Sequence, residues 1–369
     1  MTLDRVDGPP DVFGRHLRDL RISVTDRCNF RCPYCMPAEI YGERYEFLPK
    51  PEILTFEEII RLARLFTQIG VRKIRLTGGE PLLRMGLPGL IENLIALDGI
   101  EDIALTTNGY LLADQAETLK KAGLSRVTVS FDTTDEDVYK SMNGRDFGTE
   151  RVLAGIAAAE EVGLNPIKIN AVVQKGVNDH TIVDLARHFK GTGHIVRFIE
   201  FMDVGTVNSW DADAVVTASE IAKAINAEFP ITRSAPGYPG EVATRWSYDD
   251  GSGEIGIISS VSEPFCGDCT RARLSTDGQL VTCLFAAGGK DLKGPLRAGA
   301  SDAEMLEMMT GIWSTRKDRY SELRAFQAGQ DPTIVDGAAS TRTTGAPVPE
   351  GIRKIRRKKG KIEMYQIGG

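Results

Sequence analysis

The six cysteines of this 369-residue chain fall into two triplets. Cys28, Cys32 and Cys35 follow the spacing C-x3-C-x2-C, and Cys266, Cys269 and Cys283 follow C-x2-C-x13-C. Three thiolates on one loop can hold three corners of an iron–sulfur cube and leave the fourth iron open to a reactant. A structural zinc site would need a fourth protein ligand, and the histidines, His16, His180, His188 and His194, do not lie near the first triplet. A disulfide would leave one thiol over. The cluster reading uses all three thiols. The second triplet is read the same way, with zinc as the competing metal.

Other residues carry charge in apolar surroundings. Arg21, Arg75, Lys168 and Arg197 sit in strand-like runs, as in Ile167-Lys168-Ile169. Burying a cation without a partner is costly. These side chains therefore call for a polyanion on an inward face, or for salt bridges to carboxylates. Arg271 and Arg273 flank Ala272 just after Cys269. Guanidinium geometry suits phosphate oxygens, and a solvated charge pair is the plainer alternative. In Gly78-Gly79-Glu80-Pro81, the glycines let the backbone approach a ligand, and Glu80 can support the loop or meet an amino group.

These groups need a scaffold that gathers distant parts of the chain. Strands are read at 21–25, 73–77, 102–107, 126–131, 167–173 and 195–201, each followed by a helical pattern. Thr55 and Glu58 form the capping box of the first long helix. The alternation predicts a parallel sheet packed with helices. Six such units are fewer than the eight of a closed barrel, so a partial (β/α)6 TIM-like barrel is expected, with a doubly wound sheet as the alternative. Cys28, Glu80, Asn108, Asp132, Glu200 and Met202 fall at or just after strand C-termini, the face that carries chemistry in barrels.

Beyond residue 236 the texture changes. A strand is read at 254–261, a hairpin at 271–285 and one helical stretch at 301–330. The expected division is a barrel over 15–235 and a smaller C-terminal region, carrying the second cluster and binding substrate, over 236–330. A flexible linker and tail follow over 331–369, with a basic run at 353–361.

Hydrophobic content of 42% and charged content of 26% are those of an ordinary globular enzyme. A net charge of −6 speaks against nucleic acid as a partner. No apolar run approaches the roughly 20 residues that span a bilayer, and residues 1–10 show no signal-peptide core. A cytoplasmic protein without a membrane partner is expected, and cysteines there serve more often as ligands than as disulfides.

With Tyr34 before its last cysteine, the first triplet resembles the signature of radical S-adenosylmethionine enzymes, and Gly78-Gly79-Glu80-Pro81 resembles their glycine-rich motif. Several further stretches resemble the molybdenum cofactor biosynthesis protein A family, the GTP 3′,8-cyclases. They are Arg21-x-Ser23-x-Thr25-Asp26-Arg27, Thr106-Thr107-Asn108-Gly109, Val129-Ser130-Phe131-Asp132, residues 197–205, the second triplet and the terminal Gly368-Gly369. This resemblance covers nearly the whole chain.

It implies two [4Fe–4S] clusters, one on Cys28, Cys32 and Cys35, the other on Cys266, Cys269 and Cys283. S-adenosylmethionine would chelate the open iron of the first, in contact with Tyr34, Gly79, Glu80, Ser130 and Met202. GTP would meet the second through its guanine and touch Arg21, Arg75, Thr106, Lys168, Arg197, Arg271, Ala272 and Arg273. Arg271, Arg273, Gly368 and Gly369 would have catalytic roles. In the implied reaction, reductive cleavage of S-adenosylmethionine yields a 5′-deoxyadenosyl radical that takes the 3′ hydrogen of GTP. The C3′ radical then attacks C8 to give (8S)-3′,8-cyclo-7,8-dihydroguanosine 5′-triphosphate, the first step toward molybdopterin. An electron donor and a downstream cyclic pyranopterin monophosphate synthase are implied partners, and a homodimer is allowed.

Two other readings compete. Another radical enzyme with an auxiliary cluster, such as a peptide-modifying maturase, usually has more cysteines in its C-terminal half. A metal- or RNA-binding regulator using the basic run leaves the strand-end motifs unexplained.

Overall fold

The computed structural model describes residues 7–238, 240–328 and 362–368, and its strands form one twelve-stranded sheet. The strands β1 (Asp19–Ser23), β2 (Lys73–Thr77), β3 (Asp102–Thr107), β4 (Arg126–Ser130), β5 (Lys168–Val173) and β6 (Ile195–Glu200) lie side by side in chain order, all parallel. That order never reverses, which excludes the doubly wound alternative.

The remaining strands are β7 (Ile231–Ser234), β8 (Thr244–Tyr248), β9 (Glu254–Ile258), β10 (Arg271–Leu274), β11 (Gln279–Val281) and β12 (Lys290–Asp291). They do not make a second sheet. β9 pairs in parallel with β6 and β10 in parallel with β1, with antiparallel β8 and β7 beyond one edge and β11 and β12 beyond the other. An open barrel leaves the backbone groups of its first and last strands unpaired, and the C-terminal residues cover both.

Successive strand residues face opposite sides. Leu20, Ile22, Ile74, Leu76, Ile103, Leu105, Val127, Val129, Ile169, Val196 and Phe198 are buried in the core under the helices. The helix Phe56–Gln68 shows why the layer holds. Thr55 and Glu58 cap its start reciprocally, Ile59, Leu62, Ala63, Leu65 and Phe66 face the core, and Gly70 follows its end at φ +105°.

The helical stretch expected at 301–330 is two helices, Asp302–Ser314 and Tyr320–Ala328. Between them the chain turns Arg316 inward, toward the carbonyl of Cys269. A short final helix, Met364–Ile367, packs against β1. The expected linker at 331–351, the basic run at 353–361 and Gly369 lie outside the described residues. Among the described residues, no helix is long and apolar enough to cross a membrane.

Candidate active site

The loop after β1 carries the first triplet. The Cys35 and Met36 amides donate to the Cys32 carbonyl at 2.9 and 2.8 Å, folding the loop into a tight turn. Arg31 ties it down by donating to the carbonyls of Cys28, Phe30 and Tyr41 at 2.6–2.7 Å. The glycine loop after β2 lies directly against it, with the Gly79 amide on the Thr25 carbonyl at 2.8 Å and that of Glu80 on Arg27 at 2.7 Å. A Cβ on Gly79 would stand 2.3 Å from the Arg27 oxygen, so no larger residue fits there.

Glu80 takes the loop-supporting role. Its carboxylate accepts from the Leu82 amide, the Thr107 hydroxyl and the Asn108 amide at 2.7–3.0 Å. Burial outweighs these bonds and raises its pKa to about 7. Both oxygens therefore serve the protein in this structure.

A chamber opens beside these loops. Cys28, Cys32, Cys35, Tyr34, Gly79, Ser130 and Met202 line it, with Asp132 and Tyr139. The Tyr34 hydroxyl donates to Asp132 at 2.7 Å, and burial raises Asp132 to about 6. Burial likewise raises the Cys28 thiol to about 12, and it raises Cys32 and Cys35.

A second chamber is lined by Cys266, Cys269 and Cys283 together with Arg21, Arg75, Arg197, Arg271 and Arg273. Each chamber, mouth included, spans about 1010 Å³, roughly the upper end for small-molecule sites. Thr106, Asn170, Ile199 and Met202 border both. Thiols from opposite ends of the sequence thus line two adjoining chambers that share a wall.

Sheet register assembles the positive charge. Arg273 lies beside Arg21, and Arg21 beside Arg75. Like charges so placed repel. Their bonds in this region are to neutral groups: Arg75 donates to Thr106 and Thr128 at 3.0 and 3.1 Å, and Arg197 to Asn170 at 2.9 Å. Among the described residues, no carboxylate forms an ion pair with Arg21, Arg75, Lys168, Arg197, Arg271 or Arg273. Burial first, then repulsion from neighbouring cations, lowers Arg75 and Arg273 to about 10, Arg197 to about 9 and Lys168 to about 8. Arg21 moves down for the same reasons. Lys168 lines a third cavity, toward the strand N-termini, that shares Arg21, Arg75, Arg197 and Arg271 with the second chamber.

Ala272 is placed differently from its neighbours. It is buried in the apolar core, on the opposite face of β10 from Arg271 and Arg273. Asn170 borders both chambers, yet the sequence reading passes over it. Its one signal is a polar residue on the same strand face as Lys168.

The tail enters the same interior. Arg273 donates to the carbonyls of Ile367 and Gly368, and Met364 and Tyr365 line the first chamber. Glu363 accepts from the Thr206 amide and hydroxyl at 3.0 and 2.6 Å, while Tyr365 packs on Tyr41 and bonds Tyr45.

Residues 22–189 match the family model described as Radical SAM superfamily, and residues 194–322 match Molybdenum Cofactor Synthesis C. A protein named GTP 3′,8-cyclase from Acidothermus cellulolyticus is 51% identical over 97% of this chain and 98% of its own length. The chain belongs to the GTP 3′,8-cyclase family. A relative of the same name from Xanthomonas axonopodis pv. citri is 52% identical over 85% of this chain and 93% of its own. Streptococcus suis SuiB, solved with S-adenosylmethionine bound, aligns at a TM-score of 0.56 and 15% identity, covering 84% of this chain and 68% of SuiB. At that identity the likeness bears on the fold alone, and it agrees with the partial barrel.

Family membership brings S-adenosylmethionine and an iron–sulfur cluster, and the first triplet fits the cluster. All six thiols are free. Three face one chamber, and the nearby carboxylates, Glu80 and Asp132, are held by protein donors rather than offered as a fourth ligand. Among the described residues, no three His, Cys, Asp or Glu side chains are arranged to hold a single metal ion.

Proposed function

We propose that this chain converts GTP to (8S)-3′,8-cyclo-7,8-dihydroguanosine 5′-triphosphate, the first step of molybdenum cofactor biosynthesis, with S-adenosylmethionine in the first chamber and GTP in the second. The observation that carries this reading is the wall of Thr106, Asn170, Ile199 and Met202 shared by two cysteine-lined chambers. A shared wall of this kind supports a cosubstrate on one side and the ribose of GTP on the other.

Cys28, Cys32 and Cys35 would hold one [4Fe–4S] cluster, and Cys266, Cys269 and Cys283 a second. Bound at the first triplet, such a cluster supplies the single electron that cleaves S-adenosylmethionine, delivered by an external donor. Tyr34, Gly79, Ser130 and Met202 seat the cosubstrate, and Glu80 keeps the glycine loop in place. Arg21, Arg75, Arg197, Arg271 and Arg273 take the polyanion that their unpaired charges require, with Lys168 at its far end. The triphosphate thereby fixes the ribose at the shared wall, and most of the barrier reduction the protein itself contributes is this placement. Arg273 holds the Gly368 end of the tail beside the same space, where the tail limits entry of water.

The product would leave for a cyclic pyranopterin monophosphate synthase. Anaerobic protein reconstituted with iron and sulfide, given GTP, S-adenosylmethionine and a reductant, should yield 5′-deoxyadenosine and the cyclised nucleotide. Absence of both, with iron and sulfide contents intact, overturns the proposal.

A further inference from the structure

The segment before β1 is built into the second cysteine site. Asp11 and Arg15 form a buried ion pair, and the same Asp11 carboxylate lies 3.3 Å from Arg316. Arg15 donates to the Cys266 carbonyl at 2.7 Å. Arg316, only 4% exposed, donates to the Cys269 carbonyl at 2.9 Å and reaches the Cys269 sulfur at 3.2 Å. Arg271 also reaches that sulfur, at 3.3 Å. Trp313 stacks on the Arg316 guanidinium at 4.7 Å and donates its indole N–H to the Arg15 carbonyl, which locks the arrangement.

Arg15 and Arg316 share the Asp11 carboxylate, with the partly exposed Asp318 beyond, and Arg271 makes no ion pair although Asp19 lies near it. Excess buried charge of that kind is costly without an anion. A cluster held by three thiolates is that anion, and each added electron makes it more negative. Hydrogen bonds to sulfur and nearby positive charge therefore favour its reduced form. The first triplet is surrounded differently. Cys28 receives the Phe30 amide at 3.4 Å and the Asn108 side chain at 3.9 Å, while Arg31 spends its N–H groups on carbonyls. Among the described residues, no guanidinium hydrogen bond reaches the sulfur of Cys28, Cys32 or Cys35.

We infer that Arg316, positioned by Asp11, raises the reduction potential of the cluster on Cys266, Cys269 and Cys283 above that of the first. This rests on the two-cluster reading, and the test separates the two. Redox titration of the full reconstituted chain is followed by electron paramagnetic resonance, with the C28A/C32A/C35A variant assigning the second signal. R316Q should keep wild-type iron and sulfide and lower the second potential by at least a tenfold change in its one-electron equilibrium, about 59 mV, leaving the first unmoved. R316K, which keeps charge but loses the planar fork, should lower it less. An unmoved second potential in R316Q overturns the inference. Loss of the second cluster from both variants also overturns it and leaves Arg316 as a brace for the loop. If wild type holds no more iron than C266A/C269A/C283A, the two-cluster reading fails and takes this inference with it.

Discussion

The proposed function divides the chemistry between the chambers residue by residue. On that reading Cys28→Ala removes a cluster ligand beside S-adenosylmethionine, so 5′-deoxyadenosine formation should cease. Cys283→Ala should leave that chamber intact while cyclised product falls about 100-fold, equivalent to ~2.7 kcal/mol of barrier. Unaltered GTP turnover by this variant would remove Cys283 from the mechanism. Lys168 gives a pH signature. Burial, then Arg197, draws its pKa down from 10.5 to about 8 in the free protein. Only the ammonium form attracts a triphosphate, so kcat/KM for GTP should fall above about pH 8, and Lys168→Met should flatten that limb. Folding stability runs the other way. Between about 8 and 10.5 the unfolded chain binds the proton that the folded chain has lost, so this group's contribution favours folding as pH rises. A pH profile of kcat/KM unchanged by the substitution would detach Lys168 from GTP. The buried cations were legible in the sequence because charge among apolar neighbours is anomalous. Asn170 and Arg316 were not. A neutral amide breaks no charge rule, and Arg316 sits in a run of charged residues that reads as solvated surface.

At the scale of elements, β-branched runs and capping pairs carry the signal, and β1 to β6 stand close to where periodicity puts them. β7 and β8 escaped because Ile231-Thr-Arg-Ser is four residues with one buried position, and Thr-Arg-Trp-Ser-Tyr is half-buried on both faces along most of its length. The tail shows a different limit. Its final glycines are visible in sequence, but only packing explains why Gly368 is needed. It sits at φ +65°, and a Cβ would come within 2.0 Å of the Thr77 side chain. Gly368→Ala should therefore displace the tail and reduce cyclised product by about tenfold or more, ~1.4 kcal/mol, while 5′-deoxyadenosine still forms. Equal losses of both products would place the tail's effect on the cosubstrate instead. Glu363→Ala removes the acceptor for Thr206, and limited proteolysis should then cut the tail faster than in wild type.

The whole molecule departs most from what a linear reading implies. Local patterns cannot reveal that strands from residues 254–274 close both edges of a sheet built from residues 19–200, because parallel pairing between distant segments leaves no short-range trace. The consequence is that the barrel and the C-terminal region share one sheet. Arg271 to Leu274 satisfy the outer ladder of β1, Ile255 to Ile258 satisfy that of β6, and the helix Asp302–Ser314 packs on Phe56–Gln68 with Arg61 and Arg64 both on Asp302. A chain ending at residue 235 would expose two long parallel edges at once, each a template for pairing with another copy. It should emerge from size-exclusion chromatography as aggregate or not at all, even with the first triplet intact and iron supplied. A soluble monomer of that fragment, with a native far-ultraviolet circular dichroism spectrum, would show that the barrel stands alone. The cations of β10 would then be additions to a finished site, rather than part of the sheet that forms it.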